Sequence, residues 1–402
     1  MKNALSRARQ KLVPASVLLT LTHRCQLACA HCYQAQHDSE DLTTAELVRL
    51  FDELAQLGTL ELIFTGGEAL LRKDLLELIA EARKRTFAVT LFTNGGPVTP
   101  EIARRLRELR VMSVEVSLHA AHASVHDGFV GRRGAFEHAV RAIELLDDQG
   151  LSVLVKTNVV RCNAGEVLQL EQLFASRPRV QFMSDVLIHG RDDGVLLEEQ
   201  RATPAQAARY FADRVALAGD EELRAAGARL RDAPPVDSYQ HDPACGAGRT
   251  FASIQPNGDV LPCVHTPGLV MGNLRERSFS ELWLASPAVQ QMRAVALGRF
   301  AECAGCEFRH VCAKCPALSL SSSGALTGHS KQVCDRTKAY WGAIRDRLGD
   351  LGPEVRAAGP AAARSPVGSS AGSSGGLRPL PVPILSGGSD TPRRGLALPV
   401  VQ

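Results

Sequence analysis

The chain reads as an α/β protein: a partial (β/α)6 TIM-like barrel, then a small cysteine-rich domain, then a disordered tail. Three observations predict this. Short apolar runs alternate with segments of helical period through residues 15–235, the pattern of parallel βαβ units. Seven of the eleven cysteines crowd into residues 245–334, too many for core thiols. Beyond residue 346 the composition shifts to Ala, Gly, Ser and Pro with scattered Arg, and no periodic apolar face survives. The expected organisation is a basic leader at 1–14, a barrel with bridging helices at 15–235, the cysteine-rich domain at 236–345 and the tail at 346–402.

Taken in order, the apolar run Ala15 to Thr22 predicts a buried strand that delivers a cysteine loop at its end. Thr43-x-x-Glu46 is a capping box opening a helix with Leu47, Leu50, Phe51, Leu54 and Leu57 at helical spacing, closed by Gly58. Leu60 to Phe64 is the next strand, and a helix carries Leu75, Leu78, Ile79 and Ala82. Phe87 to Phe92 and Ser113 to Leu118 repeat the strand theme, with Pro100 at a helix start between them. A helix through Phe136, Val140 and Ile143 leads to the strand Leu151 to Val160, and the sixth strand lies near Val180 to Asp185. Six units fall short of a closed eight-stranded barrel, so the barrel is open. Residues 195–235 are helical, and Phe251 to Cys263 is a hairpin about Asn257-Gly258 that brings Cys245 and Cys263 together.

Composition narrows the function. The 402 residues are 45% hydrophobic and 22% charged, as in ordinary soluble globular proteins. Lys and Arg number 46 against 43 acidic residues, which gives no case for nucleic acid or a membrane surface as partner. No apolar run is long enough to span a membrane, and the N-terminal residues contain no signal-peptide core, so the expected compartment is the cytoplasm. Cysteines in that compartment read as ligands or catalytic thiols rather than disulfides. Only Cys162 stands apart from the spaced groups, where a buried structural thiol is the expectation.

Cys25, Cys29 and Cys32, at C-x3-C-x2-C spacing, sit in the loop after the first strand. Three thiolates on a cubane of four irons leave one iron open for chemistry. A structural zinc site is the alternative, with His23 or His31 as a fourth ligand, although zinc pairs usually come as C-x2-C. Gly66-Gly67-Glu68, Thr93-Asn94, Ser117 and Asn158 all fall at the C-terminal ends of strands, where such barrels place their chemistry. The glycines let backbone approach a ligand, and Glu68 could accept from an ammonium. The bland readings are a plain strand-to-helix turn for Gly66-Gly67 and satisfied polar strand ends for Ser117 and Asn158. His119, His122 and His126 cluster after the fourth strand and read as solvated or locally bonded, and Arg191-Asp192-Asp193-Gly194 reads as a turn. Downstream, Cys303-x2-Cys306-x5-Cys312-x2-Cys315 and Cys334 join Cys245 and Cys263. Two closed zinc sites would need eight ligands, whereas two clusters could share seven thiols and one other group.

On these residues the chain resembles the radical S-adenosylmethionine (SAM) enzymes: the triplet Cys25, Cys29, Cys32 is similar to their cluster motif and Thr65-Gly66-Gly67-Glu68 to their Gly-Gly-Glu motif. Ala69 stands where that family often has Pro. The resemblance implies a [4Fe–4S] cluster whose open iron is chelated by SAM, cleaved by one electron to a 5′-deoxyadenosyl radical. It places Gly66, Gly67 and Glu68 at the methionine amino group of SAM, and Ser117 and Asn158 near its carboxylate or ribose. The downstream cysteines resemble the SPASM extension, which carries up to two auxiliary clusters, although its usual last gap is x3 and here is x2. This implies that Cys303, Cys306, Cys312 and Cys334 hold one cluster and Cys245, Cys263 and Cys315 the other. Phe251 stands where relatives with a fully ligated cluster have another cysteine, leaving His241, Asp242 or His265 to complete that site, or an open iron. The implied activity is modification of a peptide or protein, by thioether or carbon–carbon cross-link, with a flavodoxin or ferredoxin as electron donor. Sulfatase maturation is the alternative, weakened because Val264 stands where those enzymes carry an Asp. Outside the enzymes, a zinc or electron-transfer protein would have no use for Gly66-Gly67-Glu68.

Overall fold

The computed structural model describes residues 11–35, 40–232 and 234–350. Strands β1 (Ser16–Thr20), β2 (Glu61–Thr65), β3 (Ala88–Thr93), β4 (Ser113–Ser117), β5 (Val153–Asn158) and β6 (Val180–Asp185) pair in parallel, each with the next, and make the open barrel. Helices α1 (Thr44–Gln56), α2 (Leu75–Lys84), α3 (Pro100–Glu108), α4 (Ala123–Val130), α5 (Ala135–Asp148) and α6 (Val167–Gln172) occupy the crossovers. Their ends follow the local signals. Thr43 and Glu46 form the reciprocal capping box of α1, Pro100 opens α3, and Gly58 takes a φ of +83° just beyond α1.

Alternation along the strands sorts the two faces. Val17, Leu19, Leu62, Phe64, Val89, Leu91, Val114, Val116, Val153 and Val155 point outward and are sealed under the helices in the main core. The opposite face lines the barrel interior and is mixed. Leu18 and Ile63 pack there with Phe251 and Val264, while Ser117, Lys156, Asn158 and Asp185 stand toward the mouth.

Two features extend past the half-barrel. The hairpin strands β7 (Phe251–Ile254) and β8 (Asp259–Leu261) form as expected, with Gly258 at a φ of +92°. However, β7 also pairs in parallel with β1, Ser16 opposite Phe251, and β8 continues to β9 (Gly272–Asn273). One nine-stranded sheet, β6-β5-β4-β3-β2-β1-β7-β8-β9, therefore crosses the expected boundary at residue 235. After the bridging helices α7 (Pro204–Ala216) and α8 (Asp220–Arg231), helices α9 (Phe279–Ala285), α10 (Pro287–Arg293) and α11 (Pro316–Ser323) surround the cysteine-rich region. The final helix, α12 (Lys331–Asp350), turns back onto the barrel, where Tyr340, Trp341, Ile344 and Leu348 pack among Tyr210, Phe211, Val215 and Leu223.

Cys162 departs from expectation: it lies exposed in the turn after β5 instead of buried. Among the described residues no helix is long and apolar enough to cross a membrane. The tail is expected from residue 346, but residues 346–350 belong to α12; the rest of it, and residues 1–10 of the leader, lie outside the described residues.

Candidate active site

A cavity of about 1320 Å³ opens at the C-terminal ends of the strands. Cys25, Cys29, Cys32, Gly66, Gly67, Asn94, Ser117 and Asn158 all line it, so the structure brings together most of the residues expected at one site. The cysteine loop is stitched in place by main-chain bonds. Ala28 N donates to the Val130 carbonyl at 3.0 Å and Ala30 N to the Phe129 carbonyl at 2.9 Å, tying it to the end of α4. On the other side Gly67 N donates to the Thr22 carbonyl at 2.8 Å and Glu68 N to the Arg24 carbonyl at 2.9 Å.

That stitching explains the glycines. A Cβ on Gly67 would lie 2.6 Å from both the His23 and Arg24 carbonyl oxygens, and one on Gly66 would lie 2.8 Å from the Thr22 oxygen. Neither residue has a positive φ, so what they supply is space, and the backbone that fills it is the cysteine loop itself.

Glu68 is placed differently from the expectation that it faces an ammonium in the cavity. It is 1% exposed and does not line the cavity; its carboxylate accepts from Leu70 N at 3.0 Å, Asn94 N at 2.7 Å and the Thr93 hydroxyl at 2.9 Å. It therefore fixes the tip of β3, whose Asn94 side chain donates toward Cys25 Sγ at 3.7 Å. Burial pushes the Glu68 carboxyl up to about 7 despite those donors.

Asn158 also has protein partners. Its amide donates to the Leu187 carbonyl at 3.1 Å and it bonds His31, whose ring stacks on Phe129. His119 and His126 are buried against this group, with His126 Nδ1 accepting from His119 N at 3.1 Å, a local bond of the kind expected; His122 is exposed and pairs with Glu166. Burial, foremost, lowers His31 and His126 to about 4.

Sequence reasoning passes over several groups on the far wall. Lys156 and Glu115 form an ion pair at 2.8 Å, with Lys156 above the Phe92 ring. Each lies two residues before an expected site residue on the same strand face, a signal that strand period already carries. His189 and His265 stack with ring centroids 3.6 Å apart, and Tyr33 meets His265 edge-on at 4.9 Å. His265 is thus committed to the cavity wall, and His241 is exposed. The turn at Arg191–Gly194 is present, with Asp192 accepting from Ala35 N at 2.8 Å and donating through its own N to the Tyr33 carbonyl.

The thiols suit an iron–sulfur cluster. None of the eleven is joined in a disulfide. Burial raises Cys25 and Cys32 and pushes Cys29 up to about 12, so three thiolates side by side require a strongly cationic partner. Among the described residues no three Cys, His, Asp or Glu side chains converge as ligands of a single ion would; thiolates of a four-iron cubane bind separate irons and need not. Among the downstream cysteines, Cys315 stands next to both expected groups. Cys303, Cys306, Cys312 and Cys334 line a second, small cavity, joined there by Cys315. Cys263 and Cys315 are raised, first by burial and then by neighbouring thiols, with Cys245 adjacent to both.

Residues 19–161 match the radical SAM superfamily, and residues 245–316 match SPASM, an iron-sulfur cluster-binding domain. The chain belongs to the radical SAM superfamily and carries a SPASM domain. It is 30% identical over 332 residues to an AdoMet-dependent heme synthase of Methanosarcina barkeri, covering 77% of this radical SAM chain and 93% of that protein. It is 31% identical over 341 residues to a PqqA peptide cyclase of Xanthomonas euvesicatoria, covering 81% and 89%. The solved structure of native anSMEcpe with bound AdoMet superposes with a TM-score of 0.64 at 17% identity, over 84% of this chain and 98% of that one, and shows the shared TIM-like fold. The cofactors of this radical SAM enzyme are [4Fe–4S] clusters and SAM.

Proposed function

We propose that this radical SAM enzyme modifies a peptide or protein, joining side chains by a thioether or carbon–carbon bond. The observation that carries the reading is the single cavity with the triplet cysteines on one wall and groups from the SPASM side, Val264 and His265, on the other. A PqqA peptide cyclase among the relatives supports it. When bound, the cluster and SAM would supply a 5′-deoxyadenosyl radical able to take hydrogen from an unactivated carbon. Cys25, Cys29 and Cys32 would hold that cluster, the main chain at Gly66 and Gly67 would border the SAM methionine, and Ser117 and Asn158 would stand beside its carboxylate or ribose. Glu68 acts one step back, by holding Thr93 and Asn94 at the cavity rim. Cys303, Cys306, Cys312 and Cys334 would carry one auxiliary cluster, and Cys245, Cys263 and Cys315 another. A flavodoxin or ferredoxin would deliver the electron.

The identity to AdoMet-dependent heme synthase, almost equal to that with the peptide cyclase, favours a second reading in which the substrate is a heme-type macrocycle. Sulfatase maturation is the weaker alternative, because Val264 lies in an apolar cluster with Leu18 and Phe251 and offers no proton acceptor. The experiment is anaerobic co-expression with the short open reading frames beside the gene, followed by peptide mass measurement. Loss of a hydrogen pair per cross-link supports the proposal: one hydrogen would go to the 5′-deoxyadenosyl radical, and the other would leave as a proton with its electron passed to an auxiliary cluster. Unchanged peptides, together with conversion of a heme precursor by the purified enzyme, would overturn it.

A further inference from the structure

One helical turn joins the auxiliary cysteines to the far wall of the cavity. The wall leaves β6 at Asp185 and runs through Val186, Leu187 and Ile188, all buried, before presenting His189 and Arg191 to the cavity. Three contacts fasten this stretch to the SPASM side. Arg336 Nε donates to both Asp185 carboxylate oxygens, at 2.9 and 3.0 Å, in a pair whose side chains are each 12% exposed. Gln332 Oε1 accepts from Ile188 N at 2.6 Å. Leu187 packs with Leu318 and Val333 in a cluster flanked by Cys312 and Cys315.

Gln332 and Arg336 lie on the first turns of α12, and between them stands Cys334. Thr337, one turn on, bonds Cys312 Sγ through its hydroxyl at 3.3 Å. The segment carrying Cys303, Cys306 and Cys312 has only short 3-10 turns and no disulfide. It is held against the middle of α12, where Trp341 Nε1 donates to the Val311 carbonyl at 3.2 Å, Arg345 pairs with Glu307 at 3.1 Å, and Phe308 and Val311 pack with Tyr340 and Trp341. A cluster bound by Cys312 and Cys334 would add a cross-link from the loop to the head of the helix, ahead of those ties.

We propose that Gln332 is a positioning residue which couples the auxiliary site to the substrate side of the cavity. Seating a cluster on Cys303, Cys306, Cys312 and Cys334 fixes the head of α12, and Gln332, with the Arg336–Asp185 pair as its anchor, passes that order to residues 186–191. This rests on the reading of those four cysteines as cluster ligands. Its consequence is that an enzyme lacking the auxiliary cluster keeps a SAM site but loses definition where substrate lies.

The Ile188 amide reports the coupling directly, because its hydrogen is the one bonded to Gln332. Amide hydrogen exchange is measured on the full chain, before and after anaerobic reconstitution, alongside iron and sulfide analysis. A variant lacking Cys25, Cys29 and Cys32 is treated in parallel, so that any iron it holds is auxiliary. Reconstitution should slow Ile188 exchange at least about tenfold in both proteins, as expected when a local opening is suppressed. Gln332→Met should keep its iron and lose that slowing, while Gln332→Glu, which retains an acceptor, should restore it. Full auxiliary iron with unchanged Ile188 exchange would overturn the coupling alone. Absence of iron from the triple variant would overturn the cluster reading and the coupling with it.

Discussion

Replacing Gly67 by alanine tests whether the Gly-Gly-Glu segment and the cysteine loop are one packed unit. The added Cβ would lie 2.6 Å from two carbonyl oxygens, and both belong to backbone that cannot swing aside as a side chain would. Ordinary contact begins at 3.4 Å, so the His23 and Arg24 peptides would have to retreat by about 0.8 Å. Overpacking of this kind costs about 1–3 kcal/mol. The retreat also stretches the bond from Glu68 N to the Arg24 carbonyl, worth about 0.5–1.5 kcal/mol. Against this, alanine narrows the unfolded ensemble by about 0.4–1 kcal/mol. The net is a loss of about 2 kcal/mol, or a urea midpoint lower by about 1 M at a slope of about 2 kcal/mol/M. Because the moved peptides directly precede Cys25, the same variant should also bind less iron at the triplet. Gly128, in α4 with nothing within 4 Å of an added Cβ, is the control, and Gly128→Ala should be neutral or mildly stabilising. A Gly67→Ala protein with the wild-type midpoint and full iron would refute the packing account.

Three other outcomes are expected. Cys29→Ala should abolish 5′-deoxyadenosine formation in anaerobically reconstituted, reduced protein, and normal formation would remove the triplet from the cluster. Glu68→Gln should cost about 0.5–1.5 kcal/mol for each hydrogen bond lost, because the amide cannot accept from all three donors. Its pH signature has a definite sign: with the folded carboxyl near 7 and the unfolded near 4.5, the folded state binds more protons between those values. Wild-type stability should therefore fall as pH rises through that window and level off above it, and Glu68→Gln should lack this component of the slope in a urea titration series. Finally, protein without Cys25, Cys29 and Cys32 should hold two auxiliary clusters' worth of iron, with one Mössbauer-distinct site if the Cys245, Cys263 and Cys315 cluster has an incomplete thiol set; a single cluster's iron would show that this trio binds none.

The strands and helices of the barrel are legible in the sequence because each carries its own signal. Strands sealed on one face by helices read as apolar runs, and caps such as Thr43 with Glu46 are local. The triplet and the second cysteine region are legible because thiols crowded at short spacings suit little besides a metal or a cluster when no disulfide forms. Glu68 is not placed by its sequence for a physical reason: a strand-end carboxylate serves equally well to face a ligand or to tie the next strand's tip, and only the position of Asn94 decides. For His119 and His126 the sequence leaves solvated and locally bonded open, because burial of a polar ring depends on what packs over it, here Phe129 and His31 about His119. Pairing of β7 with β1 has no local trace, since hairpin sequence says which strands turn on each other and nothing of the third strand alongside.

That pairing makes β1 an interior strand whose two neighbours lie far apart along the chain. Until residues 251–254 have been synthesised, Val17, Leu18 and Leu19 have backbone donors and acceptors bare on one side, the condition under which strands recruit other chains. The N-terminal half is therefore no separable module: a protein cut after residue 235 would carry an adhesive edge, and should be recovered as aggregate where the intact chain is not. Nascent chains would need β7 to arrive before the edge of β1 is covered.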